Sequence, residues 1–284
     1  MTAANNLQMR ATPAVTLCRC AANVAASLAR IVRRARFHPR QPWLQASPKL
    51  AFAVAAVIIV FVLGMVLIDA AAIEAARRLP GWLVAFFDWI TDFGKSGWFL
   101  WPLGICFLAL AALPADRLTR LSQGVVAAAM VRVGFLFSAI AVPGLFVDAV
   151  KQIIGRARPF VSGIADPYLF KPFTWGAAYA SLPSGHSAAA FAALVAFGTL
   201  WPRARTMLLV YAFLIATSRV VVTAHHPTDV LAGALVGIIG TLAVRRYFAL
   251  RGLGFSVGPD GVLHQKPGPS LKRIKSVARE LLAL

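Results

Sequence analysis

Three short polar stretches interrupt the long apolar blocks of this 284-residue chain. They run from Lys151 to Pro159 (KQIIGRARP), from Pro183 to His186 (PSGH) and from Ser218 to Asp229 (SRVVVTAHHPTD). A phosphoryl group carries three non-bridging oxygens and gathers negative charge as it is transferred. Converging Lys and Arg donors stabilise that charge, and guanidinium forks add bidentate geometry. Lys151, Arg158 and Arg219 are donors of this kind, with Arg156 close enough to support them. Asp148 precedes Lys151 by three residues and is placed to pair with it. Pro183 suits a first helical turn and Ser184 is a good cap. Free N–H groups at a helix start bind anions, and Gly185 lets a phosphate come close to them. His225 and Asp229 are four apart, neighbours if they share a helical face, although Pro227 bends the chain between them. A carboxylate on one imidazole nitrogen fixes the tautomer and makes the other nitrogen a better nucleophile.

Each feature has a plainer reading. Cations where a span leaves a membrane serve as interfacial anchors. A lone histidine such as His186 packs into a core with a hydrogen bond, and His226 fills a loop. Two residues four apart are a common accident. Only the three stretches together point to an enzyme that grips a phosphate and attacks it with histidine.

Those stretches must be held by membrane helices. The chain is 59% hydrophobic and 14% charged, against about a quarter charged in a soluble domain. Spans of about 20 apolar residues are expected near 50–68, 97–113, 124–150, 187–201, 206–222 and 229–244. The slightly acidic, aromatic segment 69–96 reads as a helix lying in the headgroup layer. Arg132 reads as snorkelling, and Pro143-Gly144 as a kink. The net charge of +19 sits largely in the tails, residues 1–49 and 251–284. This fits anionic lipid heads better than nucleic acid. The N-terminal tail is expected to be poorly ordered apart from a weak amphipathic helix over 21–32. Six spans put the tails and the basic turns on one side and all three polar stretches on the other. The positive-inside rule then makes the tails cytoplasmic. The reading leans toward a bacterial inner membrane, with the site facing the periplasm. Cys18, Cys20 and Cys106 read as free thiols.

The pattern Lys151…Arg158-Pro159, Pro183-Ser184-Gly185-His186, Ser218-Arg219…His225…Asp229 resembles the signature of the type 2 phosphatidic acid phosphatase (PAP2) superfamily, at every signature position. The resemblance implies an all-α, six-transmembrane-helix bundle of the PAP2/haloperoxidase-like type, with residues 50–250 as the catalytic domain. It implies that Lys151, Arg158 and Arg219 hold phosphate oxygens, with Ser184 and the Gly185 backbone adding hydrogen bonds. His225 would form a phosphohistidine, Asp229 would orient it, and His186 would protonate the leaving oxygen and then activate water. No metal or cofactor is implied. The substrate expected is a membrane lipid phosphate or diphosphate, with no obligate protein partner. Two alternatives stay open: a lipid phosphotransferase using the same intermediate, and a transporter that only binds phosphate. Nothing in the sequence names the lipid, among undecaprenyl diphosphate, phosphatidate, phosphatidylglycerol phosphate and lipid A.

Overall fold

The structure is a computed structural model that describes residues 13–35, 47–258 and 260–283. Its elements are α1 (Pro13–Val32), α2 (Pro48–Gly64), α3 (Ala70–Arg77), α4 (Gly81–Thr91), α5 (Gly97–Ala112), α6 (Arg120–Ile154), α7 (Gly185–Leu200), α8 (Arg205–Val221), α9 (Pro227–Leu250), the hairpin strands β1 (Phe255–Val257) and β2 (Leu263–Gln265), and α10 (Leu271–Leu282). Among the described residues, five helical runs are long and apolar enough to cross a membrane by length and composition, and α7 is a shorter apolar helix.

The first two runs are longer than expected. A π-helical turn over Met65–Asp69 joins α2 to α3, giving one 30-residue run, Pro48–Arg77. The charges after Asp69 do not end it, because the segment AAAIEAAR is rich in the best helix former; the run stops ahead of Pro80. A 3-10 turn over Asp92–Gly94 leads from α4 toward α5, so segment 69–96 divides between two long helical runs.

α7 is rich in alanine, and α9 lies close against it. A Cβ on Gly233 would stand 2.3 Å from the Ser184 carbonyl oxygen, and one on Gly237 would stand 2.4 Å from that of Ala188. Small residues spaced four apart let membrane helices approach this closely. α6 runs unbroken through Pro143. Proline lacks an N–H, which leaves the Ala139 carbonyl without its helical donor. Thr241 of α9 supplies that donor, Oγ1 to Ala139 O at 2.9 Å.

The tails carry more structure than expected. α1 begins at Pro13 and docks on α5, where Asn23 Nδ2 donates to Ala111 O at 2.7 Å. At the other end, α10 buries Val277 against Leu118, Val125 and Val126, and Thr119 Oγ1 donates to Glu280 Oε1 at 3.0 Å. Arg132 does more than snorkel: its Nη2 donates to the carbonyls of Lys266 and Pro267 at 2.9 and 2.8 Å, pinning the C-terminal segment to α6. The rest of the expected N-terminal tail, residues 1–12 and 36–46, lies outside the described residues.

Candidate active site

The three polar stretches meet at one end of the bundle, where α6 and α8 end and α7 and α9 begin. α6 terminates in Gly155, at φ 62° in the left-handed region. A Cβ there would also fall 1.9 Å from the Lys171 carbonyl oxygen, so glycine is required twice over. Beyond it the chain runs extended between two loop segments. Ala157 N donates to Leu169 O at 2.9 Å, Arg158 N to Ala178 O at 2.8 Å, and Ser181 N to Arg156 O at 3.1 Å. This lacing fixes Arg158 relative to α6 and places Ser181 next to it in the fold.

At the start of α7, Ser184 takes the N-cap position without a side-chain capping bond. Its hydroxyl instead accepts from Ser187 Oγ at 3.2 Å, and its N–H donates to Asp229 O at 2.9 Å. The first-turn amides of α7 therefore keep the donor character that suits an anion. His186, in that turn, packs against the 3-10 turn of segment 92–94; a Cβ on Gly94 would lie 3.0 Å from its Cδ2. Arg219, Arg158, Lys95 and Asp92 are within electrostatic reach of its ring.

α8 ends at Val221, and Thr223 turns the chain at φ 51°. The amides of Ala224 and His225 fold back onto the Arg219 carbonyl at 3.0 and 3.2 Å, which ties the histidine to the arginine. Arg219 Nη1 donates to the buried hydroxyl of Thr91 at 2.6 Å. The Nε atoms of Arg158 and Arg219 are buried, with no protein acceptor among the described residues. Buried guanidinium donors without acceptors are unusual in a purely structural role and suit an anion. Lys151 Nζ donates to Asp148 Oδ1, the pairing expected from their spacing.

The His225–Asp229 relation differs from the expected direct contact. His225 precedes the N-cap, His226, and Asp229 is the third residue of α9. They do not share a helical face, and Nδ1 stays 3.9 Å from Asp229 Oδ2. Nδ1 instead lies 2.8 Å from the Ser181 carbonyl oxygen. A carbonyl only accepts, so Nδ1 carries the proton and Nε2 keeps its lone pair. Asp229 acts one bond further out, accepting from Ser181 Oγ at 2.6 Å and from His226 N at 2.9 Å. His225 is almost completely buried. Burial first, and then the nearby Arg219 and Arg158, outweigh the pull of Asp229 and push its pKa down to about 3. The imidazole is therefore neutral at neutral pH.

Arg156 does not aim at the phosphate side. Fully buried, it donates from Nη1 to Asp229 Oδ1 at 2.6 Å and to Thr228 Oγ1 at 2.8 Å. Its Nη2 donates to Asp69 Oδ2 at 2.7 Å and its Nε to Pro167 O at 3.0 Å. Thr228 completes the cluster, with N donating to Asp69 Oδ1 at 3.0 Å. With four of its five N–H donors on these protein acceptors, the fork serves to hold Asp229 in place. The sequence reading missed Asp69, Thr91, Ser181 and Thr228. Asp69 alone carried a signal, as a carboxylate closing a long apolar run.

Residues 132–252 match the family model described as the PAP2 superfamily. A lipid A 1-phosphatase of Rhizobium johnstonii is 33% identical over 202 residues, covering 70% of this chain and 81% of that protein. A lipid A 1-phosphatase of Rhizobium etli is 34% identical over 201 residues, covering 70% and 85%. The crystal structure of Aquifex aeolicus LpxE aligns over 63% of this chain and 95% of that one, at 25% identity and a TM-score of 0.45.

Proposed function

The chain belongs to the PAP2 superfamily, and we propose that it is an integral-membrane lipid phosphatase working through a phosphohistidine. The observation that carries this reading is a buried, neutral His225 with its Nδ1 proton on the Ser181 carbonyl, beside two arginines whose Nε atoms lack acceptors among the described residues. His225 Nε2 attacks phosphorus, and the bond to the leaving oxygen breaks as His186 delivers a proton to it. His186 then takes a proton from water, whose oxygen displaces the histidine and releases phosphate. Lys151, Arg158, Arg219 and the first-turn amides of α7 stabilise the negative charge that builds on the phosphoryl oxygens. Asp69 and Asp229, the buried carboxylates among the described residues, are both engaged by Arg156, which favours a reaction without a metal.

The relatives named as lipid A 1-phosphatases favour a phosphorylated saccharolipid of the lipid A type as substrate. The basic tails favour cytoplasmic termini and a site on the periplasmic face of a bacterial inner membrane. The functional unit is residues 50–250, with the tails as its cytoplasmic flanks. The test is phosphate release by purified protein across lipid A, phosphatidate, phosphatidylglycerol phosphate and undecaprenyl diphosphate, repeated with His225→Ala. Lipid A is expected to be the fastest, and the variant to lose roughly a thousandfold or more. A correctly inserted His225→Ala protein that released phosphate at the unmodified rate would show that the nucleophile is wrongly assigned.

A further inference from the structure

The opposite end of the bundle carries a second concentration of cations. Asp229 lies in the first turn of α9 and Arg251 caps its far end; at ~1.5 Å per residue they stand roughly 33 Å apart, close to the ~30 Å of a hydrocarbon core. There Arg30, Arg33 and Arg34 from the end of α1 and Arg251 from the end of α9 line one pocket of about 110 Å³. Asp116 lines an adjoining pocket with Arg30 but pairs with Arg19 at 3.8 Å. Among the described residues none of the four arginines has a carboxylate partner. Arg251 is held rather than free: its guanidinium lies 3.4 Å from the centre of the Tyr247 ring, and its buried Nε has no acceptor among the described residues.

Beside this pocket lies an apolar groove of about 650 Å³ between α6 and α9, whose walls include Val142, Phe146, Leu235, Ile239 and Ala243. Neighbouring residues link the two concavities. Ile31, next to Arg30, and Tyr247, under Arg251, both line the groove, and Tyr247 OH donates to Ile31 O at 3.0 Å. A solvated basic helix end explains scattered cations. It does not explain four guanidiniums drawn from two elements around one concavity, where they repel one another.

We infer that this end of the bundle is a binding site for one anionic phospholipid, with its phosphate on Arg30, Arg33, Arg34 and Arg251 and an acyl chain in the α6–α9 groove. The arginine fork matches phosphate oxygens, and the groove supplies the apolar wall that a tail needs. The site is separate from the catalytic one and does not rest on the phosphatase reading, because binding is measured without turnover.

The experiment is native mass spectrometry of the purified full chain, titrated with phosphatidylglycerol or with phosphatidylethanolamine. One phosphatidylglycerol is retained in preference to phosphatidylethanolamine. Arg33→Gln with Arg34→Gln, at the exposed end of α1, weakens that retention roughly thirtyfold, and Arg251→Gln weakens it from the other wall. Ala243→Trp, which fills the groove, also weakens it, while phosphate release is unchanged in every variant. Equal retention of the two lipids, unaltered retention in the arginine variants or in Ala243→Trp, or displacement of the lipid by inorganic phosphate alone overturns the proposal.

Discussion

At the residue scale, His225, the proposed nucleophile, is held by a backbone carbonyl, and the Asp229 carboxylate reaches it through a serine. Ser181→Ala removes the hydroxyl between Asp229 and His225 but leaves the Ser181 carbonyl on Nδ1. A hydrogen bond to a charged group contributes about 1.5–3 kcal/mol, so kcat should fall by roughly ten- to a hundredfold, with KM little changed. Steady-state kinetics check this; a loss as deep as that of His225→Ala would show that the hydroxyl itself orients the ring. The pH dependence has a definite sign. The pKa of His225 lies near 3 when folded, below its unfolded value of about 6.5. The unfolded state therefore binds more protons, and the stability tied to the neutral ring is full above about 6.5 and declines as pH falls toward 3. Between pH 6.5 and 5 that is about 2 kcal/mol. Thermal unfolding at pH 7 and pH 5 should show the unmodified protein losing more than His225→Gln; equal losses would place the protonation elsewhere. The signature residues were legible in sequence because their types and order are tied to the reaction. Ser181 was not, because its contribution is a main-chain carbonyl and a hydroxyl that any serine would offer.

At the element scale, the contact between α6 and α9 shows how a proline is carried inside an apolar helix. Thr241 gives Ala139 the donor that Pro143 lacks. Thr241→Val leaves a buried carbonyl unpaired and should destabilise the protein by about 1–3 kcal/mol. Pro143→Ala restores the intrahelical N–H, so its combination with Thr241→Val should recover much of that loss. Denaturation of the two single variants and the double variant measures the coupling; strictly additive effects would mean that the threonine does not serve the proline. The apolar runs were legible because hydrophobic blocks of spanning length have few other uses in so apolar a chain. Their ends were less so. The charges near Asp69 read as a boundary, yet an alanine-rich helix continues past them through a π turn. Pairings such as Thr241 with Ala139, or Arg132 with the chain at 266–267, join residues far apart in sequence and leave no local mark.

At the scale of the whole molecule, one buried cluster joins parts of the chain that lie far apart in sequence. Asp69 ends the π turn of the first long run, Arg156 follows α6, and Thr228 and Asp229 open α9. Their side chains are at most 3% exposed, and they meet through the two edges of a single guanidinium. The end of the bundle that carries the proposed active site is thus locked from three directions at the carboxylate that sits one bond behind His225. Removing one partner from such a cluster leaves a buried charge uncompensated, at a cost of about 3–5 kcal/mol. Asp69→Asn should therefore lower the thermal midpoint sharply. It should also reduce kcat more than it changes KM, since Lys151, Arg158 and Arg219 keep their places. Arg156→Lys should fail to restore either property, because one ammonium does not reach Asp69, Asp229, Thr228 and the Pro167 carbonyl together in planar fork geometry. Thermal unfolding in detergent and steady-state phosphate release on the same preparations check both statements. A raised KM with intact kcat in Asp69→Asn would mean that the cluster grips the substrate and does not brace the nucleophile.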